Sequence, residues 1–292
     1  MACTSRSMRR VSRHHGRGPG LCWALILGGV ALAGPQALAL AQAGGGTAAC
    51  ARPLYLTFDT GSQSQAVVIH DILKKHGVLA TFFLANEKTV KADWSLDPSW
   101  APYWRDLVAE GHAFGTHTFD HVYYRGPAGE GAVKMRPQFG AQAGKVLTWN
   151  GAQVCAELNR VRARFAELTG AQLDPFWRAP GGKTSATLNG MGEACGYRHF
   201  GWSDAGFLGD ELPSSTWPNE RLVERALKNI RPGDVLMAHL GIRSREQAFA
   251  PALDPLIAGL KERGFCFRTL RDYPGTGPAP ATAAQSATKG AV

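Results

Sequence analysis

Short apolar runs recur along this chain, most of them followed by an amphipathic stretch, and that alternation most constrains how it can fold. The runs are residues 54–58, 80–84, 112–115, 176–177, 199–202, 235–238 and 265–269. They are nearly continuous in apolar residues, as strands buried on both faces are. Between them lie helical spacings. Residues 65–76 place Val68, Ile72 and Leu73 on one face and stop before Gly77; residues 152–169 carry Val154, Leu158, Val161, Phe165 and Leu168. Residues 219–230 carry Leu222, Val223, Ala226, Leu227 and Ile230, and residues 253–263 form a last helix before Gly264. Such alternation predicts an α/β fold with parallel strands and helices outside. Two stretches break the repeat and read as long loops: residues 86–104, with Trp94, Trp100 and Trp104, and residues 122–150, rich in glycine. The three tryptophans either stack on sugar rings or pack over the strands as a local core.

The two ends of the chain differ from its body. Residues 1–18 hold five arginines and no acid; an apolar stretch and an Ala-Gln-Ala site at 41–43 follow. That order predicts a secretory signal peptide over residues 1–43, and an uncleaved anchor is the alternative. Residues 44–273 are expected to be one domain, with residues 274–292, rich in Pro, Gly, Ala, Ser and Thr, a disordered tail. The first 43 residues contribute five of the formal charges, so the remainder carries +4 against +9 for the whole chain. No concentrated basic stripe for nucleic acid is evident, and no stable membrane span is expected after cleavage. The expected location is the periplasm or the extracellular space. Four cysteines remain after the leader, at 50, 155, 195 and 266. In an exported protein they predict disulfides, with Cys50–Cys266 and Cys155–Cys195 favoured among three possible pairings and free buried thiols the alternative.

Five polar motifs stand at the C-terminal ends of apolar runs. They are TFDTG (57–61), HTFDH (117–121), RAPGG (178–182), WSD (202–204) and MAH (237–239). In a parallel barrel those strand ends share one rim, where active sites form. His117 and His121 are four apart; a helical turn would point both imidazoles at one divalent metal.

Taken together, the motifs resemble those of the NodB-homology polysaccharide deacetylases, carbohydrate esterase family 4, over residues 52–273. The resemblance implies an irregular (β/α) barrel of about seven parallel strands. It implies a metal, typically zinc, on His117 and His121, with Asp59 as general base and Arg178 holding it ionised. His239 would be the acid that protonates the leaving amine, with Asp204 orienting and charging it. Pro180, Gly181, Trp202 and Phe207 would contact substrate. One position departs from the family pattern: Thr60 stands where the family has a metal-binding aspartate. A neutral hydroxyl is a poor zinc ligand. Three outcomes are open: another carboxylate, with Asp120 and Asp210 as candidates; a weak site completed by water and substrate; or no metal.

The expected function is removal of N-acetyl groups, or O-acetyl groups, from an envelope or extracellular glycan. The alternatives are a small-amide hydrolase and a carbohydrate-binding pseudoenzyme that has lost its metal.

Overall fold

The computed structural model describes residues 50–276. The expected signal peptide and the chain beyond residue 276 lie outside the described residues. In chain order the elements are β1 (Pro53–Asp59), α1 (Ala66–His76), β2 (Thr81–Leu84), α2 (Ala101–Ala109), β3 (Ala113–Thr116), β4 (Val122–Pro127), β5 (Val133–Pro137), β6 (Leu147–Trp149), α3 (Gly151–Thr169), β7 (Phe176–Trp177), α4 (Ala186–Ala194), β8 (Arg198–His199), α5 (Asn219–Asn229), β9 (Val235–His239), α6 (Leu253–Glu262) and β10 (Cys266–Phe267). Each of the seven apolar runs forms a strand, and these strands make one parallel sheet.

The sheet is built around β1. That strand pairs with β10 through Pro53 and Leu54, with β9 from Tyr55 to Asp59, and with β2 from Thr57 to Asp59. From β2 the order continues through β3 and β7 to β8. The gap between β8 and β9 is spanned by an irregular segment. Ser203 N–H donates to the Val235 carbonyl at 3.0 Å, and Leu208 N–H donates to that of Met237 at 3.2 Å. Gly206 is required there: a Cβ on it would stand 2.0 Å from the Val235 carbonyl oxygen. The result is the irregular parallel barrel expected, curled and closed by bridges instead of an eighth full strand.

Helices cover the outside for ordinary reasons. The α1 helix ends at Gly77, whose left-handed conformation lets its N–H reach the carbonyls of Leu73 and Lys74. It buries Ala66, Ile69, Ile72 and Leu73, while Val68, expected inside, is 38% exposed. The α3 helix starts with a full capping box between Asn150 and Gln153 and buries all five apolar residues expected. Two disulfides staple the barrel, Cys50–Cys266 and Cys155–Cys195, with Cα separations of 6.0 and 5.5 Å. The first ties the segment before β1 to β10, and the second ties α3 to the end of α4.

The two expected loops are in fact structured. Residues 98–109 carry a 3-10 turn and α2, because Trp100 and Trp104 are buried rather than displayed. Trp104 is 0% exposed and its indole N–H donates to the Ser95 carbonyl, so the core reading of these two rings holds. Residues 122–149 form a separate antiparallel sheet, β4–β5–β6. Its alternation is plain in β5, where Val133, Met135 and Pro137 are buried and Lys134 and Arg136 exposed.

Candidate active site

Asp59 closes β1 and His239 closes β9, and the two are direct partners in the parallel ladder. Two imidazoles of the HTFDH motif, after β3, join them on one cavity of about 390 Å³. Its wall also includes Glu87, Tyr123, Gln138, Gly181, Trp202 and Glu211. The turn after Asp59 depends on Gly61, which has φ 130° and approaches Gly241 so closely that a Cβ would meet its carbonyl oxygen at 2.6 Å.

Asp59 is buried and charged. Arg178, itself 0% exposed, donates from Nη1 to Asp59 Oδ1 at 2.7 Å. Its other nitrogens donate to the carbonyls of Phe200 and Gly201, both at 3.0 Å, so the guanidinium cannot swing away. Burial alone would raise the Asp59 pKa; Arg178, with His117 and His239, outweighs it and holds the carboxyl below the usual carboxylate range.

His117 presents Nδ1 to the Arg178 carbonyl at 3.0 Å. A carbonyl only accepts, so Nδ1 carries the hydrogen and Nε2 keeps its lone pair, 3.6 Å from Asp59 Oδ2. Burial, against the opposing pull of Asp59, pushes this imidazole down to about 3, so it is neutral. His121 donates from Nδ1 to Gln138 Oε1 at 2.6 Å, which turns Nε2 toward the cavity. The two rings lie 4.9 Å apart. They do not meet by a helical turn. Thr118 and His121 both adopt left-handed backbone conformations, with φ 63° and 48°. The Thr118 hydroxyl holds the turn by accepting from Val122 N–H at 2.7 Å. Two non-glycine residues in that region cost roughly 1–3 kcal/mol each, strain that tends to collect at functional sites.

His239 is the opposite case. Its backbone N–H and Nδ1 both meet the Asp210 carboxylate, at 2.7 and 3.2 Å. Burial disfavours its charge, but Asp210, with Asp59 and Glu211, overcomes that and lifts its pKa to about 10. Glu211 Oε1 lies 3.3 Å from the other ring nitrogen. The carboxylate on His239 is therefore Asp210, and the expectation of Asp204 is corrected. Asp204 is exposed at the start of the closing segment, which must run along β9 and so turns that side chain away. Asp210, a candidate third metal ligand by sequence, has both carboxylate oxygens on His239. Asp120 is also committed elsewhere, accepting from Arg160 at 2.6 Å.

The four expected substrate contacts divide evenly. Gly181 and Trp202 line the cavity. Pro180 is buried and Phe207 is half-buried with its backbone bridged to Met237, and neither is in the cavity wall. Sequence reasoning missed Glu87, Tyr123, Gln138 and Glu211. Nothing local marks them, since each arrives from a segment read as a loop or from the run after Asp210.

The polysaccharide deacetylase family signature matches residues 47–200, more than half of the chain. The chain belongs to the polysaccharide deacetylase family. It is similar to a peptidoglycan-N-acetylmuramic acid deacetylase of Bacillus subtilis, 27% identical over 222 residues, which are 76% of this chain and 71% of that one. A chitooligosaccharide deacetylase of Azorhizobium caulinodans is 27% identical over 231 residues, 74% of this chain and 92% of the relative. Among solved structures, a family 4 acetyl xylan esterase from Clostridium thermocellum, bound to a cobalt ion, shares the fold. Its TM-score is 0.57 at 24% identity, over 76% of this chain and 90% of that one. A family 4 pseudoenzyme from Bacillus anthracis shares it too, with TM-score 0.55 at 19% identity, over 76% of this chain and 65% of that one.

The metal that this family generally uses fits the site in part. With Nδ1 of each ring engaged, Nε2 of His117 and of His121 is the atom left for a metal, and the lone pair of His117 Nε2 faces the Asp59 carboxylate across 3.6 Å, an arrangement a cation relieves. Among the described residues, however, no three His, Cys, Asp or Glu side chains stand together as a ready metal cluster. Thr60 explains the shortfall. Its hydroxyl is 0% exposed, accepts from Ala85 N–H at 3.0 Å and donates to Glu87 Oε1 at 2.7 Å. It holds a carboxylate instead of supplying one.

Proposed function

We propose that this protein is an exported hydrolase that removes N-acetyl groups from a cell-envelope or extracellular glycan. The observation that carries the reading is the pairing of Asp59 with His239: an ionised carboxylate and a charged imidazole, level with each other on adjacent strands and facing one cavity. Asp59 accepts the proton of the attacking water, while Arg178 keeps Oδ1 and leaves Oδ2 toward the cavity. His239, charged by Asp210, gives its proton to the departing amine nitrogen as the tetrahedral carbon collapses. Trp202 and Gly181 form the wall against which a sugar ring lies.

His117 and His121 would hold a divalent ion, zinc or a similar metal, through Nε2, with Glu87 as the carboxylate that replaces the missing aspartate. When bound, such an ion supplies Lewis acidity to the acetyl carbonyl. Glu87 suits that place because its segment is fixed: its N–H donates to the Ser95 hydroxyl at 2.9 Å, and its carbonyl accepts from Ser95 N–H at 2.8 Å.

Thr60 favours a second reading, a glycan-binding protein without turnover. Acetate release from N-acetylglucosamine oligomers, with and without chelator and with Asp59→Asn and His239→Ala beside the wild type, separates the two. Chelator-sensitive release that both substitutions abolish supports the hydrolase. Oligomer binding with no release under any added metal supports the second reading.

A further inference from the structure

The catalytic cavity does not end at His121. Beyond Tyr123 and Gln138, which belong to both, a second recess of about 390 Å³ opens on the β4–β5–β6 sheet. Its other walls are Arg125, Arg136, Pro137 and Gly144. The sheet is basic on its outer face. Residues 122–149 hold Arg125, Lys134, Arg136 and Lys145 against one acid, Glu130, which sits in the turn joining β4 to β5. These bases are too far apart in sequence to read as a stripe; antiparallel pairing gathers them. Among the described residues none of the four makes an ion pair. No carboxylate in the recess therefore competes with an incoming anion for these side chains.

Local geometry aims the two arginines. The register of β4 against β5 shifts between Tyr124 and Gly126, so Arg125 is the extra residue of a bulge, a device that re-aims a side chain at the edge of a site. Arg136 stands opposite Tyr123 in the ladder and donates only its Nε, to the Gly144 carbonyl at 3.1 Å, so its terminal nitrogens remain available. The link to the catalytic groups is a single atom. Gln138 Oε1 accepts from both Tyr123 Oη, at 3.0 Å, and His121 Nδ1, at 2.6 Å.

We propose that this recess is a subsite for an anionic group, a carboxylate or a phosphate, on the glycan whose acetyl group occupies the catalytic cavity. The proposal rests on the deacetylase reading. Two guanidiniums with free paired nitrogens suit the forked oxygens of such groups, and the shared walls bring the recess within one or two sugars of the reacting centre. The preferred substrate is then an acidic polysaccharide in which charged sugars neighbour N-acetylated ones.

The test compares two oligosaccharides with the same acetylated sugar: a hexamer alternating N-acetylglucosamine with glucuronate, and a neutral N-acetylglucosamine hexamer. Wild-type protein should favour the acidic hexamer in kcat/KM and in Kd by calorimetry, and 0.5 M salt should erase the preference. Arg125→Ala makes no lost hydrogen bond among the described residues, so it leaves the sheet intact; it should lower the acidic-over-neutral ratio by about tenfold, the scale of one charge-assisted contact. Arg125→Lys should recover part of the ratio, and Arg136→Ala should lower it again. Inorganic phosphate that competes with the acidic hexamer assigns the recess to phosphate oxygens as well; failure to compete confines it to carboxylates. Equal treatment of the two hexamers by wild type, or an unchanged ratio in the Arg125→Ala and Arg136→Ala variants, overturns the proposal. If neither hexamer releases acetate, the hydrolase reading fails alone, since the Kd ratio still decides the subsite.

Discussion

His239 and Thr60 show how much one contact decides. With Asp210 beside it, His239 stays protonated through the neutral range, so a reaction that needs it as an acid should hold its rate until the pH nears about 10. Asp210→Asn removes the main partner. The alkaline limb of the pH–rate profile should then move down toward the ordinary histidine range, and activity at pH 8–9 should collapse first; an unmoved limb would remove His239 as its source. At Thr60, the hydroxyl positions Glu87. Glu87→Gln should weaken metal binding, measured by calorimetry on the stripped protein, on the order of 10–100-fold, as losses around a metal site do. An unchanged affinity would take Glu87 off the metal. Asp59, Arg178, His117 and His239 were legible in the sequence because each closes or directly follows a strand that the apolar runs mark, and His121 because it stands four residues from His117. Asp210 and Glu87 were not, because they reach the site from segments without periodicity, and only the folded path of the chain says which carboxylate meets which histidine.

The same division runs through the elements. The central strands β1, β2, β3 and β9 were legible as apolar runs, since burial on both faces leaves no alternation to misread, whereas β8 and β10 are two-residue, half-buried edges of their runs. The α2 helix and β4–β6 were hidden by their tryptophans and glycines, which resemble loop composition. In α2 the rings are the core contact, so Trp104→Ala should destabilise the fold by about 3–5 kcal/mol in denaturant unfolding, a loss too large for a surface aromatic. The β4–β6 glycines sit at turns and at the bulge, and only β5 keeps a clean inside–outside alternation, over a window of five residues too short to reveal it. The closing segment between β8 and β9 is sensitive in another way. Gly206→Ala forces a methyl against a backbone oxygen and should destabilise by roughly 1–3 kcal/mol through overpacking.

For the molecule as a whole, the disulfides and the charged histidine set the response to conditions. Cys50–Cys266 closes 216 residues and Cys155–Cys195 closes 40. By loop-closure entropy the longer link should contribute about 1–2 kcal/mol more, so Cys50→Ala with Cys266→Ala should lower the melting temperature more than the other double substitution. His239 adds a pH term. Its folded pKa lies above the unfolded 6.5, so its stabilisation is complete below that value and is lost as pH rises through about 10. Melting temperatures taken from pH 6 to 10.5 should fall more steeply in wild type than in Asp210→Asn.

A parallel ladder behaves like a ruler whose marks are residues. Strands in a sheet stand about 4.8 Å apart, and successive side chains point to opposite faces. Because Asp59 and His239 share one mark on β1 and β9, the distance a proton must be handled across is set by strand length. A single residue inserted or deleted within either strand would shift one partner by a step and turn it to the other face. Loops around this barrel can lengthen or shorten, but the lengths of these two strands cannot change without separating the proposed acid from the proposed base.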